Sequence, residues 1–98
     1  MATFISLINV TQQENSDLKD SPDRAAKFTS MAEKAGAKVK EIYWTIGSYD
    51  VVVVMEAPDD KTLAVALLGM GSFGNVRTQT LRAFDSSEME EIVSKAPH

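Results

Sequence analysis

Two hydrophobic rhythms alternate along this chain, one of period two and one of period 3.6, and their succession lays out the elements. Residues 2–10 run in period two, with Phe4, Ile8 and Val10 on one side, interrupted by Ser6, and Ile5 and Leu7 on the other. That pattern predicts a strand with apolar character on both faces. The polar, aperiodic stretch TQQENSDLKD over 11–20 predicts a loop. Ser21-Pro22 then starts a helix. Serine caps well, proline is tolerated at the first helical position, and Asp23 suits the positive end of the helix dipole. Ala25, Phe28, Met31, Ala32 and Ala35 make one apolar stripe along it, and Gly36 ends it.

A second strand is predicted over 38–46, with Val39, Glu41, Tyr43 and Thr45 on one face and Lys40, Ile42, Trp44 and Ile46 on the other. Because the side-chain period is two, a one-residue shift of register would exchange the faces of Tyr43 and Trp44. Gly47-Ser48 connects tightly, through Tyr49-Asp50, to the run Val51–Met55, and strands this close in sequence form an antiparallel hairpin. Pro58-Asp59-Asp60 opens a second helix under an aspartate cap. Leu63 to Leu68 leave that helix almost no polar face, and Gly69, Gly71 and Gly74 are expected to break it. Residues 75–84 alternate as a fourth strand. Asp85-Ser86-Ser87 caps a short amphipathic helix whose Met89, Ile92 and Val93 are expected to point inward.

The order β-α-β-β-α-β, with a terminal helix, is the split-βαβ pattern of an α+β, ferredoxin-like domain spanning residues 1–98. It implies a four-stranded antiparallel sheet with two helices on one face, and places the first and third strands at the centre. Val51 to Val54, four β-branched residues in a row, make the third strand apolar front and back. Two helices cover one of those faces. The other calls for a cover of its own, and a second copy of the chain supplies one. The alternative is that the terminal helix folds underneath.

Composition narrows the function classes. Ninety-eight residues fit one domain. The chain has no cysteine, which excludes disulfides, thiolate chemistry and cysteine metal sites and fits a reducing, cytoplasmic setting. MATFISLINV lacks the basic start and small-residue cleavage site of a signal peptide, and no apolar run nears the roughly 18 residues of a membrane span. The formal net charge is −4, and the ten basic residues form no cluster that tracks phosphates, so neither nucleic acid nor membrane is an expected partner.

The segments YWTIGSYDVVVVMEAPDD and GNVRTQTLRAF, with Lys19-Asp20-Ser21-Pro22 ahead of the first helix, resemble the small bacterial GYD-domain proteins. The family is named for a Gly-x-Tyr-Asp element, here Gly47-Ser48-Tyr49-Asp50. The resemblance runs from the first strand through Phe84. It implies similarity to dimeric α/β-barrel proteins, in which two such sheets pack face to face, and it assigns no biochemical activity. Some similar barrels oxidise polyketide-like phenols without metal or flavin, and others bind haem.

Several groups are candidates for chemistry. Tyr43, Trp44, Tyr49, Asp50, Asn75 and Arg77 offer phenols, an indole N–H, an amide and a guanidinium for a flat or anionic ligand, an aromatic or carbonyl compound. Asp50 is the candidate general base. The structural reading of the same residues is that Asp50 caps the hairpin turn, that Arg77 pairs with Asp50 or Glu41, and that the aromatic residues are packing. Lys19, Asp20 and Arg24 surround the start of the first helix, where an anion would meet free N–H groups; a solvated cap is the plainer reading. Gly69-Met70-Gly71-Ser72-Phe73-Gly74 fits G-x-G-x-x-G but follows a helix and precedes a strand, the reverse of a dinucleotide fingerprint. The single histidine, His98, is terminal, so no metal set, haem ligand or serine–histidine pair is expected, and no cofactor is called for. Three readings stay open: an oligomeric small-molecule-binding module with a pocket between sheet and partner subunit, a cofactor-independent monooxygenase- or isomerase-like enzyme, and a structural or interaction protein with a dry sheet-face interface.

Overall fold

The computed structural model describes residues 1–10, 21–71 and 76–97. Strand β1 (Ala2–Val10) is followed by helix α1 (Ser21–Ala35), strands β2 (Lys38–Trp44) and β3 (Val51–Ala57), helix α2 (Asp60–Gly71), strand β4 (Val76–Ala83) and helix α3 (Ser86–Lys95). The sheet runs β2-β3-β1-β4 with every neighbouring pair antiparallel, so the two strands that are apolar on both faces lie inside, as the pattern predicts.

Registered pairings line the residues up in rows across the sheet. Ile42, Val53, Ser6 and Thr80 make one row, and Val39, Met55, Phe4 and Arg82 another. These rows face the helices: Phe4, Ile8, Val53 and Met55 are buried with Phe28 and Ala32 of α1 and Leu63 and Ala66 of α2. Each fully buried large apolar side chain contributes about 1.5–3 kcal/mol. Ser6, the polar interruption in β1, is completely buried, and its hydroxyl shares a 2.8 Å hydrogen bond with the Thr80 hydroxyl. The buried polar atom is thereby satisfied. Strict alternation fails in β2. A register shift between Val39 and Glu41 leaves Lys40 as an extra residue, so Val39 joins Ile42 on the helix side while Glu41 and Tyr43 turn to the other face.

Helix ends follow the local signals. Gly36, at φ 98°, lets Ala37 N–H reach the Ala32 carbonyl at 2.9 Å, closing α1. The Asp59 carboxylate accepts from Thr62 N–H at 2.8 Å and caps α2. That backbone hydrogen bond holds the Asp59 carboxyl below its ordinary value. Gly69 does not break α2, which continues to Gly71. A Cβ at Gly69 would collide with Met31 Sδ, so the glycine permits close approach of α1 and α2. Strand β2 stops at Trp44, and Ile46 stands wholly in solvent rather than continuing it.

The terminal helix departs from expectation. α3 has no buried residue, and Met89, Ile92 and Val93 are exposed rather than inward. It follows β4, an edge strand, and leaves the domain there instead of turning beneath it. The thinnest dimension of the chain is 17 Å, room for a sheet and one helical layer. The radius of gyration, 14.9 Å, exceeds the roughly 12.6 Å of a compact chain of this length. Among the described residues, no helix lies over the second sheet face.

Two outcomes test this packing. Ser6→Ala should lower unfolding stability by about 1–2 kcal/mol, because it strands the Thr80 hydroxyl, while the double variant with Thr80→Val should lose less than the two singles together. Additivity in thermal unfolding would contradict the buried pair. Because the folded Asp59 pKa is depressed, its cap stabilises above the ordinary carboxylate pKa and the benefit disappears as pH falls through the folded value. In urea titrations from pH 6 to pH 2, Asp59→Asn should narrow the pH dependence relative to wild type; an unchanged profile would contradict the cap.

Candidate functional site

The uncovered sheet face has an aliphatic centre and a polar rim. Its rows are Tyr43, Val52, Leu7 and Gln79, then Glu41, Val54, Ile5 and Leu81. Ile5, Leu7, Val52 and Val54 are only partly buried, and Leu81 and Tyr43 are exposed. Arg77 pairs in register with Asn9 and shares the face of Gln79 and Leu81. This arrangement, apolar inside and polar at the margin, is the anatomy of an interface core and its rim.

The hairpin end is fastened to this face. Thr45 N–H donates to the Asp50 carbonyl at 2.8 Å, and the Thr45 hydroxyl donates to the Tyr49 carbonyl. Asp50 N–H donates to the Ile8 carbonyl at 2.9 Å, extending the β1–β3 ladder into the turn. The Tyr49 hydroxyl then donates to Gln79 Oε1 at 2.9 Å, so its ring spans β1 to reach β4. Gly47 adopts φ 128°, and a Cβ there would meet nothing within 4 Å. Conformation, not space, demands glycine at that position.

The structure divides the sequence-predicted set. Tyr43, Tyr49 and Arg77 share the uncovered face, whereas Trp44, opposite Val51, belongs to the helix side and is 51% exposed. Tyr43 on β2 and Arg77 on β4 stand at opposite edges, three strand spacings or about 14 Å apart, too far for one small ligand to be gripped directly by both within a single chain. Asp50 has its main chain committed to the turn and its residue engaged in a further contact. Asn75, Lys19 and Asp20 lie outside the described residues, as do Ser72, Phe73 and Gly74 of the glycine motif. Gly69 and Gly71 sit at the end of a helix rather than at the start of one. Arg24 lies in the first turn of α1, partly buried and with a partner. Among the described residues no group of three acidic or imidazole side chains is placed to hold a metal, and no helix is long and apolar enough to cross a membrane.

Two residues escaped the sequence reading. Gln79 receives Tyr49, and the alternation of 76–83 already sets it on the face of Arg77 and Leu81. Arg82 lies with its guanidinium 4.4 Å from the Phe84 ring centre and 5.5 Å from that of Phe4, and donates to the Thr3 carbonyl at 3.2 Å. Nothing local in the sequence announces that cluster, because Thr3 and Phe4 are about eighty positions away.

Comparison with known proteins agrees with the architecture. The GYD domain matches residues 4–93. A Thermus thermophilus protein, named glutamine synthetase and cystathionine beta-lyase binding protein, is 36% identical over 90 residues, covering 91% of this chain and 95% of the relative. A solved structure of a protein from Thermus thermophilus is 27% identical, covers 88% of this chain and 96% of its own, and superposes with a TM-score of 0.57. A feast or famine regulatory protein from M. tuberculosis, complexed with L-methionine, is 17% identical with a TM-score of 0.66. The alignment covers 88% of this chain but 52% of that regulator, and the likeness is one of fold.

Gly47→Ala should destabilise by about 1–3 kcal/mol, since the strain resides in the backbone. Gly47→Leu should cost no more, because a side chain there meets open space. Urea midpoints that fall progressively with side-chain size would show that sterics, not φ, fixes this turn.

Proposed function

The chain belongs to the GYD-domain family, and from that premise we propose that it is a homo-oligomeric binding module that docks on metabolic enzymes. The relative that is 36% identical over nearly its whole length is named for binding two such enzymes. The observation in this chain that carries the reading is the hairpin tip. Trp44 is half exposed and Ile46 fully exposed, on a rigid turn fixed by Thr45, Asp50 and Ile8. Large apolar side chains held rigidly in solvent are the anchors on which protein interfaces concentrate their energy. The uncovered sheet face serves a different purpose: its aliphatic centre is closed by a second copy of the chain. On this reading the protein works in the cytoplasm beside its enzymes.

A second reading is supported by the rim of the same face. With two copies packed sheet to sheet, Tyr43 of one edge and Tyr49, Gln79 and Arg77 near the other would border a space able to hold a small aromatic or carbonyl ligand. The Tyr49–Gln79 bond favours it by presenting a fixed polar wall above an apolar floor.

Biolayer interferometry against glutamine synthetase and cystathionine β-lyase from the same organism separates the readings. Micromolar or tighter binding is expected to one of them, weakened at least tenfold by Trp44→Ala or Ile46→Asp and little changed by Tyr49→Phe. No binding to either enzyme at 100 μM would overturn the docking function. A small molecule retained in native mass spectrometry, and lost in Tyr49→Phe or Arg77→Ala, would establish the second reading.

A further inference from the structure

Helix α3 is well made at its ends and unsupported along its length. The Asp85 carboxylate accepts from Glu88 N–H at 2.8 Å while the Glu88 carboxylate accepts from Asp85 N–H at 3.1 Å, a complete capping box. Lys95 and Glu91 pair at 3.1 Å one turn apart. Arg82 aims the helix: its guanidinium, stacked on Phe84, lies 3.7 Å from the Glu88 carboxylate. Yet a helix of 10 residues is too short to persist in water on caps and ion pairs, and gains most of its stability from packing an apolar face. That face exists. Met89, Ile92 and Val93 fall at i, i+3 and i+4 and are 47%, 40% and 54% exposed, so the described residues of their own chain leave that packing incomplete.

The area of the uncovered sheet face points to what does. Four strands about 4.8 Å apart, each offering about seven residues at roughly 3.3 Å, span a face of roughly 450 Å². A stable interface takes about 800 Å² from each partner. The face so measured is a flat footprint, which side-chain corrugation enlarges, but alone it still falls short. An α3 stripe about 15 Å long and about 10 Å wide adds roughly 150 Å² on one copy, and as much again where the partner's own stripe is received.

We propose that α3 is an exchanged arm: the Met89, Ile92 and Val93 stripe packs on a second copy of this chain and completes the interface begun by the open sheet face. The proposal rests on the homo-oligomer reading and deepens it. Arg82, Glu88 and Asp85 fix the direction in which the arm leaves its own sheet, so the arm is presented already aimed, with little ordering left to do on association. The foreign enzyme is left to the hairpin tip at Trp44 and Ile46.

The full-length chain and its Ile92→Glu/Val93→Glu variant, compared by sedimentation equilibrium, test the arm. The expected result is a wild-type dimer whose dissociation constant rises at least tenfold in the variant, with the far-ultraviolet spectrum of the sheet retained and Ile92→Leu behaving as wild type. In mixed dimers of methyl-labelled and unlabelled chains, Met89 and Ile92 methyls should give isotope-filtered contacts to the other copy. A wild-type dimer whose constant changes less than twofold in the variant, without those contacts, overturns the arm and leaves the sheet-face dimer standing. A wild-type monomer at 100 μM overturns both. Loss of enzyme binding with the dimer intact assigns α3 to a foreign protein and equally overturns the exchanged arm.

Discussion

One inner strand that is apolar on both faces sets the terms for the rest of the molecule. Val51 and Val53 of β3 turn toward α1 and α2, and Val52 and Val54 turn away. β1 repeats the arrangement, with Phe4 and Ile8 inward and Ile5 and Leu7 outward. Two helices satisfy the inner set and can do no more, because a sheet has two faces and the described residues lay one helical layer against it. Each partly buried aliphatic residue on the far face forgoes part of the gain from burial, and a contiguous group of them is characteristic of an interaction surface. The strand that organises the fold is thus the one that supplies this apolar surface.

The same constraint explains how functions are distributed. The helix side is closed by its core, while the large apolar residues of the hairpin end, Trp44 and Ile46, stay exposed. The far face offers area but little depth, since Tyr49 crosses part of it to bond Gln79. A pocket there needs a second wall. A hairpin tip, in contrast, needs only a partner with a cleft. The hairpin tip and the aliphatic face are thus two separate apolar surfaces of one thin sheet.

Much of this was legible in the residues because it is local. The cap at Asp59, the capping box begun by Asp85, the left-handed Gly36 and the valine run each act within a turn or a strand, and each is visible as a short pattern. The family resemblance rested on the same segments. What escaped depends on distant partners. The bulge at Lys40 adds one residue to a strand without altering its composition, so the face of Val39 could not be read. Gly69 looks like a helix breaker until Met31 is placed beside it. Met89, Ile92 and Val93 show a faultless amphipathic period, but periodicity gives the existence of a buried face and not the identity of the chain that buries it. Alternation already sets Tyr43 and Trp44 on opposite faces of β2, but which of them shares the face of the helices depends on pairing with Val52 and Val51.

The most direct test of the account is the mass in solution of a chain whose outward aliphatic centre has been made polar. Sedimentation velocity at 100 μM should find wild type at twice the chain mass of 10.7 kDa and Leu7→Glu/Val52→Glu as a folded species at that single mass. A variant that still dimerises, or a wild type that sediments as one chain, would contradict the claim that the bare face of this sheet is where the molecule meets itself.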